Sequence, residues 1–385
     1  MYKDINGYPV TINKFISDNN LLDAPVLDSQ LLFECGVSFP DAFPEGIDES
    51  FFRIPFVETT NNGVIIVGSD IRYHTQNDFT KAHTGIKRSL DGGLTWEADQ
   101  IIHTSNLIDT KSRKHNASTL VDRNTGRVFI FASVLDSYCE NPGPIGEVFD
   151  PPALWDFVYK YSDDDGATWS EEISLKTTVY DALTNLTFPG TSTAGITLSD
   201  GTLVLSIYDG RQNENTDDTG DDWYMRTGLI YSTDHGDTWI KTNLIETYLN
   251  ESAIVEFDSG IVLIGRGNND GKKLFYTNDL GISWSAYYGN KYIQSYVCET
   301  GMIKFVSGSE WRGIVSCPYN AIERSNGTIW LTKYWRKFKA FIQFEPNAFE
   351  GYSCLAQYDN HLYMVTEKTD GIWFYDLSEF TQYLI

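Results

Sequence analysis

Four eight-residue segments of this chain repeat one pattern, S/T-x-D-x-G-x-T/S-W, and this repeat limits the possible folds more than any other feature. The segments are Ser89–Trp96, Ser162–Trp169, Ser232–Trp239 and Thr277–Trp284, and they begin 73, 70 and 45 residues apart. In such a turn the aspartate can accept backbone N–H bonds, the glycine can adopt a conformation that other residues resist, and the tryptophan can pack beneath the hairpin. One turn for each four-stranded sheet, with loop insertions in some sheets, predicts a β-propeller.

Short strand signals fill the chain from Phe51 onward, and long amphipathic helical patterns are absent. The 22 Phe, 23 Tyr, 10 Trp and 31 Gly suit many short strands joined by tight turns. Apolar runs, several of them after an Asn-Gly or Asp-Gly turn, occur at Gly63–Val67, Arg127–Phe131, Thr202–Ser206, Gly260–Ile264 and Gly327–Leu331. We therefore expect an all-β chain with six blades, four marked by the repeat and the others at both ends. Residues 51–385 would form the propeller, and residues 1–50 an irregular lead-in that packs on it.

The charge balance excludes several kinds of partner. The net charge is −24 and there is no run of Lys and Arg, so nucleic acid and anionic membrane surfaces are not expected to bind. No apolar run approaches the roughly 18 residues of a membrane-spanning helix, and MYKDINGYPV lacks the apolar region of a signal peptide. The chain is expected to be soluble, either cytoplasmic or extracellular after removal of a signal. The compartment and the oligomeric state stay open.

The cysteines and histidines do not indicate a metal site or a disulfide framework. The five cysteines are scattered, odd in number and without a C-x-x-C pair, and the six histidines lack the spacing of metal ligands. We expect buried free thiols, no metal and no cofactor.

Two motifs bring chemistry to this scaffold. Phe52–Pro55 (FRIP) places an arginine at the start of an apolar run, and Asp78 follows on a polar loop. Together with the four repeats, which resemble Asp-boxes, FRIP resembles the motif set of the sialidases (neuraminidases). The resemblance covers about residues 50 to 370, in the family's order. It implies a six-bladed propeller without an inserted lectin domain that acts on sialylated glycans or glycoconjugates.

The substrate that this resemblance implies carries a carboxylate at its anomeric carbon. Guanidinium groups bind a carboxylate with a matching fork geometry. By resemblance, Arg53, Arg266 and Arg324 form the family's clamp of three arginines. Arg312 and Arg336 are alternatives for the third position.

The reaction also needs an acid, a nucleophile and a base. Glycosidases normally use a carboxylate as the nucleophile, and sialidases, which use a tyrosine, are an exception. A neutral tyrosine is not repelled by the substrate carboxylate until a base removes its proton. By resemblance Asp78 is the acid/base, Tyr352 the nucleophile and Glu251 its base. Glu256 is the alternative base, although its place in the strand suggests a solvated face.

Further residues are assigned supporting or sugar-binding roles. Glu367 resembles the carboxylate that orients the first arginine, and Arg72 is expected to line the pocket. Asn116 stands where many bacterial relatives have an aspartate that contacts the sugar's 4-hydroxyl; the alternative is that this loop is misaligned. An amide can still bond a hydroxyl, so altered affinity or pH response is expected. Trp155 and Tyr138 are candidates for the remainder of the sugar pocket.

The sequence thus predicts a retaining exo-α-sialidase that works through a tyrosyl intermediate. A mildly acidic optimum is expected, because Asp78 must be protonated while Glu251 is ionised. The alternatives are a non-catalytic sialic-acid-binding propeller, such as a lectin or adhesion module, and a trans-sialidase or intramolecular trans-sialidase. The linkage preference and the sialic acid variant are not specified by these residues.

Overall fold

The structure of the protein is a computed structural model. It describes residues 2–3, 9–10, 28–37, 49–73, 75–76, 78, 80–105, 113–135, 155–179, 187–191, 193–212, 223–267, 271–286, 293, 295, 298–320, 323–335, 337–343 and 351–384. Within these ranges no helix has the length and apolar character needed to cross a membrane.

The described strands form six antiparallel sheets, numbered here as blades 1 to 6, whose first strands contact one another in a closed ring. Blade 1 contains β4 (Ser50–Thr59), β5 (Ile65–Tyr73), β6 (Ala82–Ser89) and β7 (Gln100–His103). Blade 2 contains β8 (Arg113–Val121), β9 (Val128–Leu135), β10 (Trp155–Ser162) and β11 (Ile173–Ser174). Blade 3 contains β12 (Thr187–Gly190) and β13 (Ile196–Thr197), both paired with β14 (Leu203–Gln212), then β15 (Trp223–Ser232) and β16 (Ile240–Lys241). The short helix α1 (Lys176–Val179) precedes it.

The remaining blades complete the ring. Blade 4 contains β17 (Ser252–Phe257), β18 (Gly260–Arg266), β19 (Lys272–Thr277) and β20 (Ser285–Ala286). Blade 5 contains β21 (Gly301–Ser307), β22 (Glu310–Pro318), β23 (Gly327–Lys333) and β24 (Lys337–Gln343). Blade 6 contains β25 (Ser353–Tyr358), β26 (His361–Lys368) and β27 (Gly371–Asp376), and a 3-10 helix follows at Ser378–Tyr383. The predicted six-bladed all-β propeller is confirmed.

The N-terminal part of the chain supplies the outer strand of blade 6. Strand β3 (Asp28–Glu34) pairs antiparallel with β27, and a two-stranded ribbon of β1 (Tyr2–Lys3) and β2 (Pro9–Val10) contacts β24. The expected irregular lead-in over residues 1–50 therefore contains a strand of the propeller itself. Its sequence, DSQLLFE, has only three apolar residues, because an outer strand is less buried than an inner one.

Each of the four repeated turns joins the third and fourth strands of blades 1 to 4. In the third turn Asp234 accepts bonds from the hydroxyl of Ser232 and from both the amide and the hydroxyl of Thr238. The same pattern of bonds recurs in the other three turns. The tryptophans pack toward the preceding blade. The Trp96 ring packs edge-on against Phe374 of blade 6, with the ring centres 5.1 Å apart. These turns therefore also contribute contacts between neighbouring blades.

Candidate active site

Arg53 lies between two carboxylates at the end of the ring where the first strands begin. Its Nε and Nη2 donate to the two carboxylate oxygens of Glu367 at 2.6 and 3.4 Å, and its Nη1 donates to Asp78 Oδ1 at 3.0 Å. The Glu367 side chain is 2% exposed, so this fork fixes the plane of the guanidinium. Burial alone would lower the pKa of Arg53, but Glu367 and Asp78 raise it above its ordinary value.

Asp78 sits at the mouth of the site with its side chain 63% exposed. Arg72, which is buried, donates through Nη1 to the same Asp78 oxygen at 2.6 Å and to the carbonyl of Gln76 at 2.7 Å. Desolvation by these neighbours would raise the pKa of Asp78, but the charges of Arg72 and Arg53 outweigh it and hold the pKa below its ordinary value. Without substrate, Asp78 is therefore a carboxylate. Arg72, expected in the pocket lining, lies beneath Asp78 and holds it.

Asp70 is a carboxylate of this site for which the sequence motifs predicted no role. It is the cross-strand partner of Arg53, is fully buried, and accepts a bond from Arg72 Nη2 at 3.1 Å. Burial raises the pKa of Asp70 to about 6, and Arg72 opposes the rise. Its place two residues before Arg72 on one strand puts both side chains on the same face, a signal that was available in the sequence.

Tyr352 forms the centre of the site. Its hydroxyl donates to Glu251 Oε1 at 2.5 Å and accepts from Arg266 Nη1 at 2.9 Å, while Arg266 Nη1 also donates to Glu251 Oε2 at 2.6 Å. Burial, and then the Glu251 carboxylate, raise the pKa of Tyr352 well above its ordinary value. Burial opposes ionisation of Glu251, but Arg266 and the Tyr352 hydroxyl lower its pKa overall. The resting pair is a neutral phenol bonded to a carboxylate.

The other two arginines of the expected clamp also face Tyr352. The guanidinium carbons of Arg53 and Arg324 lie 5.4 and 5.0 Å from the centre of the Tyr352 ring. With Arg266 bonded to the hydroxyl, three guanidiniums surround one phenol in a chain whose net charge is −24. Burial would lower the pKa of Arg324, but Cys298 and Tyr352 raise it. This cluster of three cations can bind an anion beside the Tyr352 ring.

Hairpin register explains why distant residues meet here. The backbone N–H of Glu367 in β26 donates to the carbonyl of Tyr352, the residue before β25. Likewise, the N–H of Arg266 at the end of β18 donates to the carbonyl of Glu251, the residue before β17. Each pair is 15 residues apart in sequence, which is the span of one hairpin. A Cβ on Gly351 would come within 3.1 Å of the Glu367 carboxyl carbon, so the small residue before Tyr352 leaves room for the orienting carboxylate.

The first strands of blades 1 and 2 each contain a β-bulge next to a residue of the site. The register of β4 shifts between Arg53 and Phe56, where Ile54 has φ of 57° and Pro55 has no N–H for the ladder. The register of β8 shifts next to Asn116, whose φ is 50°. Left-handed backbone is costly for a β-branched residue such as Ile54. FRIP is therefore a local break in a strand that points Arg53 inward.

Asn116 is buried and donates through Nδ2 to the hydroxyl of Tyr208 at 2.5 Å. Asparagine tolerates the left-handed backbone of the bulge. Asn116 therefore fits the bulge and also supplies the amide that bonds Tyr208. Trp155 begins strand β10, but its side chain lies outside the described part of the chain, as does Tyr138.

The alternative candidates lie elsewhere or outside the described residues. Arg312 pairs across from Phe305 toward the other end of blade 5, and its Nε donates to the carbonyl of Leu384. Glu256 accepts bonds from the amide and hydroxyl of Ser199. Arg336 is outside the described part of the chain. The positions facing Tyr352 are thus occupied by Arg324 and Glu251.

A buried layer behind Tyr352 contains polar residues for which the sequence predicted no role. Cys298 packs with Tyr352 and Ile54, and burial raises the pKa of its thiol to about 12. The buried ammonium of Lys272, the cross-strand partner of Arg266, donates to the Cys298 carbonyl. Glu299 follows with no exposed surface. Burial and then Glu251 raise the pKa of Glu299. Cys298, Cys317 and Cys354 are buried free thiols, as expected, whereas Cys35 is a free thiol that is only partly buried. Cys139 is outside the described ranges.

Fold and motifs together define a class: a six-bladed propeller with Asp-box turns and an arginine-lined site at one end of the ring. Residues 56–332 match the model of a family described as "BNR repeat-like domain". The chain belongs to that family, and its assignment to the sialidase group is confirmed by its relatives.

Two sialidases illustrate the relationship in sequence. The sialidase of Paraclostridium sordellii is 28% identical over 353 residues, which is 86% of this chain and 84% of that protein. The sialidase of Clostridium perfringens is 27% identical over 354 residues, which is 86% of this chain and 90% of that protein. At the level of the family, these relatives support a glycoside hydrolase.

A solved structure gives the same picture of the fold. The structure titled "Hadza microbial sialidase Hz136" superposes with a TM-score of 0.74 and 25% identity, over 85% of this chain. The chain spans 65% of that protein's length.

Proposed function

We propose that this protein is a retaining exo-α-sialidase that hydrolyses terminal sialic acid through a covalent intermediate on Tyr352. The observation that carries the proposal is the 2.5 Å bond from the Tyr352 hydroxyl to Glu251, set among Arg53, Arg266 and Arg324. A phenol bonded to a carboxylate is a nucleophile paired with its base. Three guanidiniums at that phenol supply the positive field that a substrate carboxylate requires.

In the first half of the reaction the substrate carboxylate binds the three arginines. The Tyr352 oxygen attacks the anomeric carbon, and Glu251 takes the phenolic proton. The bond to the leaving oxygen breaks while Asp78 donates a proton to that oxygen. Arg266, bonded to both Tyr352 and Glu251, keeps the proton donor and acceptor aligned.

In the second half a water molecule gives a proton to Asp78 and attacks the anomeric carbon. The bond to Tyr352 breaks, and the phenol recovers its proton from Glu251. Two displacements on one carbon return the original stereochemistry. Exposure of Asp78 at the mouth of the site suits a residue that serves first the leaving group and then water.

The test is release of an aryl group from an aryl α-sialoside. Wild-type protein should turn the substrate over, and Tyr352→Phe should lose at least about a thousandfold, the scale on which loss of a reacting group lowers a rate. Phenylalanine keeps the ring that packs on Ile54 and Cys298, so the melting temperature should change little. Absence of turnover by the wild type, or undiminished turnover by Tyr352→Phe, contradicts the proposal.

Two other outcomes identify the alternatives. Binding of a sialoside to wild-type protein with no turnover over hours would identify a lectin or adhesion module. Mass analysis of the product would separate hydrolysis from transfer to another sugar or to the same sugar.

A further inference from the structure

Five charged side chains of the site form one alternating row of carboxylates and guanidiniums. Arg53 bonds Glu367 on one side and Asp78 on the other. Arg72 bonds Asp78 on one side and Asp70 on the other. Asp78 is the middle member of this charge row and is the exposed one, whereas Glu367 and Asp70 end the row in the interior. Each arginine that holds Asp78 therefore also holds a buried carboxylate.

The strands of blade 1 fix the Asp70 end of the charge row. Asp70 and Arg72 lie two residues apart on β5, so their side chains point to the same face of the sheet. Asp70 is also the cross-strand partner of Arg53 on β4. Arg72 is 1% exposed and Asp70 has no exposed surface, so water screens this pair little. Asp70 is thus bonded to one cation of Asp78 and lies opposite the other.

Other strands bring further polar groups to the charge row. These groups are Thr84 of β6, Arg113 and His115 of β8, and Tyr208 of β14. Arg113 donates through Nη1 to the backbone carbonyl of Asp78 at 3.3 Å. Burial and neighbouring cations lower the pKa of His115, and burial with a neighbouring carboxylate raises the pKa of Tyr208, so both are uncharged at neutral pH. Among the described residues, these groups add no second carboxylate at the Asp70 end.

The balance of charges in the row decides how readily Asp78 takes up a proton. With every member ionised, the row has three negative and two positive charges. A proton on Asp78 then makes the row neutral. Without the charge of Asp70, the row is already neutral while Asp78 is ionised, and the two guanidiniums hold it in that form. An ionised Asp70 therefore favours protonation of Asp78.

We propose that Asp70 is a positioning residue for the hydrolysis: it aligns the Arg72 guanidinium beneath Asp78 and shares its charge, so that Asp78 can take up a proton. The inference rests on the proposed function and deepens it, because it concerns the acid step at the same site. Glu367, and then the substrate carboxylate, share Arg53 in the same way. Both cations of Asp78 are thus shared with other anions when the leaving oxygen needs a proton.

The test compares Asp70→Asn with the wild type in the pH profile of kcat/KM for a sialylated disaccharide. Asparagine keeps an oxygen that can accept the Arg72 bond but removes the charge. Burial raises the pKa of Asp70 to about 6, so the wild type has this charge at pH 7 and has mostly lost it at pH 5. Asp70→Asn should lower kcat/KM about tenfold at pH 7, the effect of about one pKa unit on Asp78, and about twofold at pH 5.

The leaving group separates this role from a merely structural one. An aryl leaving group needs less help from an acid, so at pH 7 Asp70→Asn should lower turnover of an aryl sialoside much less than turnover of the disaccharide. Distortion of the site would lower both equally. Asp70→Ser is a second neutral variant with the same expectations, so the test does not depend on the folding of one variant.

The matched control is Asp209→Asn in blade 3. Asp209 is also a buried aspartate, lies across from Arg226 in the strand pair, and bonds Lys241 rather than a member of the charge row. Its replacement is expected to lower the melting temperature and to leave the pH dependence of kcat/KM unchanged.

The outcomes separate this inference from the proposed function. If the wild type turns over, the role of Asp70 is overturned by a loss in the neutral variants that is equal at pH 5 and pH 7, equal on both substrates, or matched by Asp209→Asn. Neutral variants with the wild-type pH profile would also overturn it, and the proposed hydrolase would remain in place. Absence of turnover by the wild type would remove both.

Discussion

Asp78, the acid/base residue of the proposed mechanism, lies in surroundings that favour its ionised form. Arg72 and Arg53 both donate to Asp78 Oδ1, so the pKa of this carboxyl lies below its ordinary value. A substrate carboxylate bound to Arg53 would share that cation and weaken its hold on Asp78. Substrate binding is therefore expected to raise the pKa of Asp78 toward the value that an acid needs.

The pH profile of kcat/KM checks this expectation, because it reports the groups of the free enzyme. In the proposed mechanism the active form has Asp78 protonated and Glu251 ionised. Both pKa values are lowered from 3.8 and 4.5, so above pH 5 Glu251 is ionised and protonated Asp78 becomes scarcer. For a sialylated disaccharide, kcat/KM should fall from pH 5 to pH 7 with a limiting slope of about tenfold per unit. A rise in kcat/KM above neutral pH contradicts the assignment.

The leaving group provides a control for the role of Asp78. A good aryl leaving group needs less help from an acid than a sugar hydroxyl does. Asp78→Asn should therefore lower turnover of the sialylated disaccharide more than that of the aryl sialoside. Equal losses on both substrates would mean that Asp78 does not protonate the leaving oxygen.

Glu299 gives a prediction for stability rather than turnover. Burial raises its folded pKa above 4.5, so above pH 4.5 the unfolded chain releases this proton while the folded chain keeps it. The folded state then binds more protons, and stability falls as pH rises, by about 1.4 kcal/mol per pH unit up to the folded pKa. Glu299→Gln removes this slope. The urea midpoint of Glu299→Gln minus that of the wild type should be larger at pH 7 than at pH 5. The same difference at both pH values would contradict the prediction.

Residues within recognisable motifs could be predicted from the sequence, whereas those that act through burial could not. Arg53 and Tyr352 stand in short motifs, and the structure brings both to one cluster with Glu251. Lys272 and Glu299 resemble ordinary charged residues of an acidic chain. Only the packing of blades 4 and 5 removes them from water.

Among the structural elements, the β-hairpins form the blades and also position the residues of the site. Apolar runs and Asn-Gly or Asp-Gly turns predicted strands that the structure has as β5, β9, β14, β18 and β23. The turn between β23 and β24 of blade 5 could not be predicted in this way, because it contains no glycine. Instead, Tyr334 and Trp335 adopt left-handed backbone there, with φ of 66° and 55°. In this turn the Tyr334 ring also packs against Trp311, with the ring centres 6.1 Å apart.

The Asp-box turns are expected to contribute to stability and not to chemistry. Asp234→Ala removes the acceptor of the Ser232 and Thr238 bonds and should lower the free energy of unfolding by at most about 1–2 kcal/mol, because water replaces part of the lost bonding. Asp237→Ala in the same turn is the control, since that side chain is 78% exposed. Turnover per folded molecule should stay constant in both variants. An equal loss of stability in the two variants would contradict a special role for the turn aspartate.

At the scale of the whole molecule, the ring brings together residues that are far apart in sequence. Arg53 and Glu367 are 314 residues apart and bond directly, because blade 6 lies beside blade 1. The repeat spacing predicted the blades, but it contained no information about how the ring closes. Strand β3 adds a link at the closure, because its pairing with β27 joins the N-terminal part of the chain to the last blade.

Deleting β3 should therefore affect the entire ring. A chain that begins after residue 34 leaves the edge of β27 unpaired and uncovers apolar surface where Phe33 packs on Phe52 at 5.2 Å. Unpaired edges invite aggregation. We expect this deletion to lower the melting temperature, to broaden the unfolding transition and to weaken turnover through the Arg53–Glu367 contact. A chain that begins at residue 28 keeps β3 and is the matched control. Equal melting temperatures and turnover in the two chains would show that the ring holds without its N-terminal strand.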